Sequence, residues 1–229
     1  MLSYFHTYRQ LAERVMTTMK TAPPLIPPRE DAFFRKLESG ADGRDNGKIT
    51  NLVRVLAQSP VTLKACLDFN KTLEHGLLTP KKREQIALLM AEVNRCRYSL
   101  SMHCDRSREM GLTDEEIESA RKARAADPST AVLLRFVLHF VLERGAVGAQ
   151  AFESLRTAGF SDAHIVEIIA NMAQNIFENY FNIGIATPID FPLVTPGVIA
   201  SSPVASGGST SPAPRHRQQR RSRSISGRF

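Results

Sequence analysis

At three points in this chain an oxygen-bearing side chain is followed at once by proline: Ser59–Pro60, Thr79–Pro80 and Asp127–Pro128. Proline holds φ near the helical value, and its missing N–H is no loss at the first helical position. The side chain before it can accept from the next unpaired N–H groups. Each pair is therefore a helix start. They predict helices from Pro60 to about Glu74, from Pro80 to about Asn94, and from Pro128 through the apolar run AVLLRFVLHFVLERG, which Gly145 ends. Between them, a helix over Cys96 to Met110 stops at Gly111, and Thr113 with Glu116 has the spacing of a capping box that opens the next. Further helices are expected at 148–158 and 161–181. Little chain is left for strands, so the fold class is all-α.

One internal echo accompanies these signals. GLTDEEI (111–117) and GFSDAHI (159–165) share Gly, an apolar residue, a hydroxyl, Asp and Ile at equal offsets, 48 residues apart. Convergent capping chemistry and two related helical hairpins both fit it.

Outside this region the character of the chain changes. A helix at 2–20 ends before Pro23 and Pro24, a short one follows near 30–38, and GADGRDNGK (40–48) is loop chemistry. The expected organisation is a helical N-terminal extension (1–48), a main domain (49–194) and a tail (195–229). The tail is rich in Ser, Pro, Gly and Arg and cannot bury enough apolar surface to offset ordering entropy, so it is expected to be disordered. The net charge of +7 belongs to it: no acid follows Asp190, six arginines do, and without them the rest carries +1. The tail reads either as a solubilising appendage or as a weak, sequence-unselective contact with nucleic acid or an anionic membrane.

No apolar run approaches the roughly 18 to 20 residues of a membrane helix, so no membrane span is expected. Arg9, Glu13, Arg14 and Lys20 leave no apolar leader stretch, though their balance also fits a mitochondrial presequence. Cys66, Cys96 and Cys104 form no disulfide framework. Cys96 and Cys104 share one expected helix at a separation of about 12 Å, beyond the roughly 7 Å a bridge allows. Reduced thiols in a cytoplasmic setting follow.

The stretch REQIALLMAEVNRCRYSLSMHCDRSREMGL (83–112) carries the candidate chemistry. Cys96, Ser99 and His103 lie three, four and seven apart, within one arc of a helix. Cys96 falls in the expected first turn, where free N–H groups and the helix dipole favour a thiolate, and a histidine nearby can exchange its proton. The same residues also fit a buried cysteine and a core histidine on a packing face. His139 fits a core or interface position, and His6, His75 and His164 have no partners at ligand spacing. His103 and Cys104, being adjacent, point about 100° apart and make no zinc pair. There is no P-loop, no dinucleotide glycine fingerprint and no Gly-x-Ser-x-Gly, so neither a metal nor a cofactor is expected.

Glu84 twelve residues before Cys96, then C-x-Y-[C/S]-x3-H and a GLTDEEI turn, resembles the AhpD-like family, which includes carboxymuconolactone decarboxylases and alkylhydroperoxidases. The resemblance runs from about residue 50 to 193. It implies an AhpD-like helical bundle, a small-molecule substrate and a homo-oligomer. In peroxidase members, a CxxC pair does the redox chemistry and glutamate with histidine relays protons. Carried over, Glu84 and His103 are the relay, Cys96 the resolving thiol and Tyr98 a substrate-pocket contact. Ser99 stands where the attacking cysteine belongs, and a hydroxyl cannot form the disulfide.

Three readings follow from the resemblance. In the first, Cys96 acts as the thiolate of a peroxidase-like oxidoreductase, is oxidised to a sulfenic acid and is reduced by an external thiol donor. Cys104 would then help only from a neighbouring subunit or after rearrangement. In the second, Glu84 and His103 carry acid–base decarboxylation of a small acidic lactone. In the third, the chain is a non-catalytic relative. The first stands ahead, because Cys96 is kept at a helix start.

Overall fold

The computed structural model of the chain describes Ile26, residues 44–45 and residues 48–197. The helices expected at 2–20 and 30–38, and the tail beyond 197, lie outside the described residues. Within the expected 40–48 loop, β1 (Arg44–Asp45) pairs antiparallel with β2 (Lys48–Ile49), Arg44 opposite Ile49. Among the described residues the remaining regular elements are helices, joined by turns and extended links: α1 (Asn51–Leu56), α2 (Pro60–Glu74), α3 (Pro80–Val93), α4 (Arg97–Glu109), α5 (Asp114–Arg121), α6 (Pro128–Leu142), α7 (Ala149–Thr157) and α8 (Asp162–Ile185).

The starts are set by the capping chemistry the sequence announces. Ser59 accepts from the Thr62 N–H, Thr79 from Lys82 and Asp127 from Thr130, each followed by proline inside the first turn. The echo at 111 and 159 is a repeated turn. Gly111 and Gly159 take left-handed φ of 79° and 92°, which glycine adopts without a Cβ penalty. Thr113 and Ser161 then open α5 and α8 with complete capping boxes, the second using His164 where glutamate is usual. Even the flanking ion pairs match: Arg108 Nε meets Asp114 at 2.8 Å and Arg156 Nε meets Asp162 at 2.8 Å.

Two helix bounds differ from expectation. Helix α4 begins at Arg97, with Cys96 as its cap in extended backbone, because Arg95 turns left-handed (φ 58°) and delays the helix by a residue. Helix α8 runs one turn past 181, to a left-handed Ala186 just ahead of Pro188.

Helix α3 is central, packed against α4, α5, α6 and α8, and its residues from Ile86 to Glu92 are all buried. The main core gathers Ile86, Leu89 and Met90 of α3 with Leu100 and Cys104 of α4, Leu133, Leu134 and Val137 of α6, and Ile168 and Met172 of α8. The apolar helix α6, which the sequence left open between core and interface, thus gives its inner face to the core. A smaller core joins Leu52, Val53 and Leu56 of α1, Leu63 of α2, and Cys96, Tyr98 and Met102, with Phe181 and Phe191 packed against it.

The chain after α8 folds back over the bundle. Val194 N–H donates to Ser101 Oγ (2.9 Å), Arg121 donates to the Thr195 carbonyl (3.2 Å), and Gly197 N–H donates to Glu92. The tail expected from 195 is therefore held as far as 197. The holding group is the buried Glu92–Arg121 pair (2.8 Å), which Glu118 extends. Removing Arg121 leaves a buried carboxylate unpaired. Arg121→Ala is expected to cost about 3 kcal/mol or more in urea unfolding. Glu118→Ala, at a half-exposed pair, should cost under about 1 kcal/mol.

Candidate active site

The site grows from the link between α3 and α4. Asn94 caps α3, Arg95 turns left-handed, and the Cys96 N–H donates back to the Ala91 carbonyl (2.9 Å). So short a link lays α4 antiparallel along α3 and brings Glu84 opposite His103. Glu84 Oε2 and His103 Nδ1 meet at 2.8 Å, with side chains only 8% and 7% exposed. Burial works to raise the Glu84 carboxyl. The charge and hydrogen bond of His103, with Arg106 and Arg83 further off, outweigh it and hold the carboxyl below its ordinary range.

Cys96 Sγ accepts the Ser99 N–H (3.4 Å), and its own S–H donates to Ser99 Oγ (3.2 Å). Both residues are buried. Thr50, Ser59, Thr79, Thr113, Asp127 and Ser161 cap their helices with oxygen; α4 alone among the described helices is capped by sulfur. Burial pushes the Cys96 thiol up, and hydrogen bonds from Ser99 and the Tyr98 backbone only partly counter it. The first-turn thiolate the sequence favours is thus opposed by desolvation, and Cys96 rests as a thiol.

Tyr98 is buried in the smaller core. Its hydroxyl accepts the Leu52 N–H (3.0 Å) at the start of α1, and its ring meets Phe191 edge to face at 5.8 Å. Cys104 is in the main core, away from Cys96, its thiol pushed up to about 11 by burial.

The largest part of the site that sequence reasoning missed lies on α8. Glu167 near its start accepts the Leu77 and Leu78 N–H groups (2.6 and 3.2 Å) at the foot of α3. Near its end, Asn182 Nδ2 donates to Ser99 Oγ (3.4 Å). Helix α8 therefore runs along the hairpin, antiparallel to α4. Its inward face carries Asn171, Gln174, Asn175, Glu178, Asn179 and Asn182, all buried. Gln174 donates to Glu178 Oε1 (3.1 Å), and so does the Cys66 thiol of α2 (3.7 Å). Burial first, then the charge and hydrogen bond of Glu178, push Cys66 up to about 12. The Asn and Gln spacing of three and four through NMAQNIFENYFN was the available signal.

Within the described residues, His103 Nε2, both amide atoms of Asn179 and Asn182 Oδ1 are buried with no hydrogen-bond partner. Antiparallel packing sets His103, one turn beyond Ser99, level with the Glu178–Asn179 turn. Unmatched polar groups in an interior are costly and mark where water or a polar ligand belongs. The arrangement can hold a small polar molecule between α4 and α8 and pass a proton through Cys96, Ser99 and His103. Among the described residues no group of three His, Cys, Asp or Glu is arranged to hold a metal ion, and no helix is long and apolar enough to cross a membrane.

Two outcomes follow from this geometry. The folded Glu84 carboxyl titrates lower than the unfolded one, so its stabilisation is complete above the unfolded value of about 4.3 and is lost as pH falls through the lower folded value. Glu84→Gln should therefore flatten the acid limb of stability measured by urea unfolding between about pH 6 and 3. Tyr98→Phe leaves the buried Leu52 N–H unpaired and should cost about 1–3 kcal/mol, read in the same experiment. A change in substrate KM instead would assign Tyr98 to the pocket.

Residues 60–140, which include Glu84, Cys96, Ser99 and His103, match the carboxymuconolactone decarboxylase family. No curated protein matches the sequence. The fold is shared with an uncharacterized peroxidase-related protein from Silicibacter sp. TM1040 (TM-score 0.64, 20% identity, 73% of this chain and 94% of that one). It is shared too with the alkylhydroperoxidase AhpD core of a peroxidase-related protein from Ralstonia eutropha JMP134 (0.63, 22%, 74% and 94%). A variant of the debrominase Bmp8 in complex with 2,3,4-tribromopyrrole has the same fold (0.62, 17%, 73% and 92%). The segment 60–140 is thus similar to the carboxymuconolactone decarboxylase family, and it sits in a helical bundle whose fold is shared with AhpD-like proteins.

Proposed function

We propose that the chain is a thiol-dependent, peroxidase-like oxidoreductase that reduces a small hydroperoxide at Cys96, with His103 and Glu84 moving the protons. The observation that carries this reading is the sulfur cap of α4. Sulfur is a weak acceptor, and serine would cap better, so helix stability does not account for Cys96. A sulfur there gains once ionised, when the Ser99 N–H and the positive helix end stabilise the thiolate.

Because burial keeps the thiol protonated, a base must act as the hydroperoxide arrives. Glu84 fixes His103 through Nδ1 and leaves Nε2 to take the proton, by way of the Ser99 hydroxyl one turn away. The thiolate attacks the peroxide oxygen, the O–O bond breaks, and His103 returns the proton to the leaving alkoxide. The products are Cys96 sulfenic acid and an alcohol. Two equivalents of external thiol restore Cys96 and release water and a disulfide. The peroxidase-related neighbours support the same class of chemistry. A cytoplasmic setting and a homo-oligomer belong to this reading. Half-exposed Phe177 and exposed Tyr180 on the outer face of α8 support the latter. The arginine tail would add a weak nucleic-acid contact.

A second reading is favoured by one observation: the Glu84–His103 pair is complete without Cys96, whose thiol burial keeps neutral. It is acid–base decarboxylation of a small acidic lactone.

Hydroperoxide consumption with several thiol donors separates the two. Cys96→Ser should abolish it and His103→Gln lower it about a hundredfold. If lactone turnover appears instead, is lost in Glu84→Gln and His103→Gln, and survives Cys96→Ser, the acid–base reading holds. Neither activity in any variant means a non-catalytic relative. Ser99→Cys gives a further check. The two side-chain atoms already lie 3.2 Å apart, so a sulfur at 99 stands near bonding reach of about 2 Å. The variant should form a 96–99 disulfide and reduce hydroperoxide faster with dithiol donors. A formed disulfide without that gain counts against hydroperoxide chemistry.

A further inference from the structure

We propose that Cys66, on α2, is the second thiol of this site: it pairs with Cys96 in a 66–96 disulfide once Cys96 is oxidised, and Glu178 takes its proton. The inference rests on the hydroperoxide reading above and supplies the partner thiol that Ser99 cannot be.

Several observations meet here. Cys66 packs against the smaller core cluster that contains Cys96. Its S–H points at Glu178 Oε1 (3.7 Å). Glu178 and Asn182 are one turn apart on the same inward face of α8, and such residues are neighbours. Asn182 holds Ser99 Oγ, and Ser99 Oγ accepts the Cys96 thiol proton. Polar contacts thus join Cys66 to Glu178 and Cys96 through Ser99 to Asn182, and the two sets end one turn apart on α8. The charge of Glu178 is felt at both sulfurs. Cys104 is excluded on the same grounds: it lies in the main core and about 12 Å along α4 from Cys96.

Glu178 answers a specific chemical need. Cys66 is held as a thiol well above neutral pH, and only a thiolate attacks a sulfenic acid. As the Cys66 sulfur approaches Cys96, its proton passes to the Glu178 carboxylate and the S–S bond forms. The sulfenic oxygen leaves from Cys96 as water, taking up the proton that Cys66 gave to Glu178, so the carboxylate is restored. The two electrons lost by the thiol pair are those that reduced the hydroperoxide. An external dithiol then returns them by exchange and leaves as its own disulfide.

The test uses the full chain, reduced and then treated with one equivalent of hydrogen peroxide or, separately, with diamide, which couples neighbouring thiols without a peroxide. Linked peptides are mapped by mass spectrometry without reduction. A 66–96 link is expected with either oxidant, in the wild type and in Cys104→Ser. Cys66→Ser and Cys66→Ala, checked for folding by circular dichroism, should instead accumulate peroxide-treated Cys96 that dimedone traps as sulfenic acid. Glu178→Gln should slow closure of the link about a hundredfold without preventing it. Dimedone-reactive Cys96 in the wild type with no 66–96 link, or a link to Cys104, overturns the proposal and spares the hydroperoxide reading. A diamide link with Cys96 untouched by peroxide overturns the hydroperoxide reading and leaves the pairing standing.

Discussion

A carboxylate and an imidazole held 2.8 Å apart in the interior set most of what surrounds them. Either group buried alone would be destabilising by several kcal/mol, on the order of its desolvation. Together they are tolerated only at one register of α3 against α4. A slip of one residue would turn Glu84 and His103 away from each other. The contact therefore pins the hairpin whose link positions Cys96. It also fixes the histidine ring: with Nδ1 committed to Glu84, Nε2 is the nitrogen presented to the rest of the site. Helix α3 repeats the device at its other end, where buried Glu92 meets Arg121 and secures the returning chain. Between these carboxylates the helix is apolar and buried from Ile86 to Ala91, so the two pairs act as locks at either end of a core segment that packing alone would let slide.

That arrangement explains the character of α8. A helix lying over the α3–α4 hairpin must meet apolar core on one side and the thiol, hydroxyl and imidazole of α4 on another. Its inner surface is accordingly divided: Ile165, Ile168 and Met172 serve the main core, while the Asn and Glu residues from 171 to 182 face the polar side. Buried amides of this kind are tolerated where backbone carbonyls take part of their hydrogen-bonding capacity. Asn171 donates to the Glu167 carbonyl and Asn175 to the Asn171 carbonyl. Asn179 and Asn182 retain capacity beside Ser99, where a ligand would use it.

What the sequence discloses and what it conceals follow the range of the interactions. Caps are local, so Ser59, Thr79, Thr113 and Asp127 could be read directly, and so could the repeated glycine turn. The Cys96, Ser99 and His103 face was legible because helical spacing is fixed. Cys96 as a cap was not, since sulfur seldom plays that part and the start was placed a residue early. The α8 stripe was hidden by the ordinary rule that polar residues face water, which only tertiary contact reverses. Composition placed the tail boundary at 195, but Gly197 is held by a carboxylate 105 residues earlier, which no local window includes. Glu178 meeting Cys66 is of the same long-range kind.

The serine at 99 is then less a loss than a relocation of roles. A thiol at 99 would accept hydrogen bonds poorly, and the short polar chain from Cys96 through Ser99 to Asn182 depends on an atom that accepts twice and still donates. A hydroxyl does this and resists oxidation. It keeps a proton path beside Cys96 in every redox state, whereas a cysteine would lose its S–H on forming a disulfide. With position 99 given to proton transfer, any second thiol has to come from outside α4. Helix α2 is the element that brings one against the same small core, and α8 places a carboxylate beside it. On the proposed chemistry, a site divided in this way would move protons along α4 and electrons between helices, so oxidation of Cys96 would be registered as a covalent tie between α2 and the start of α4.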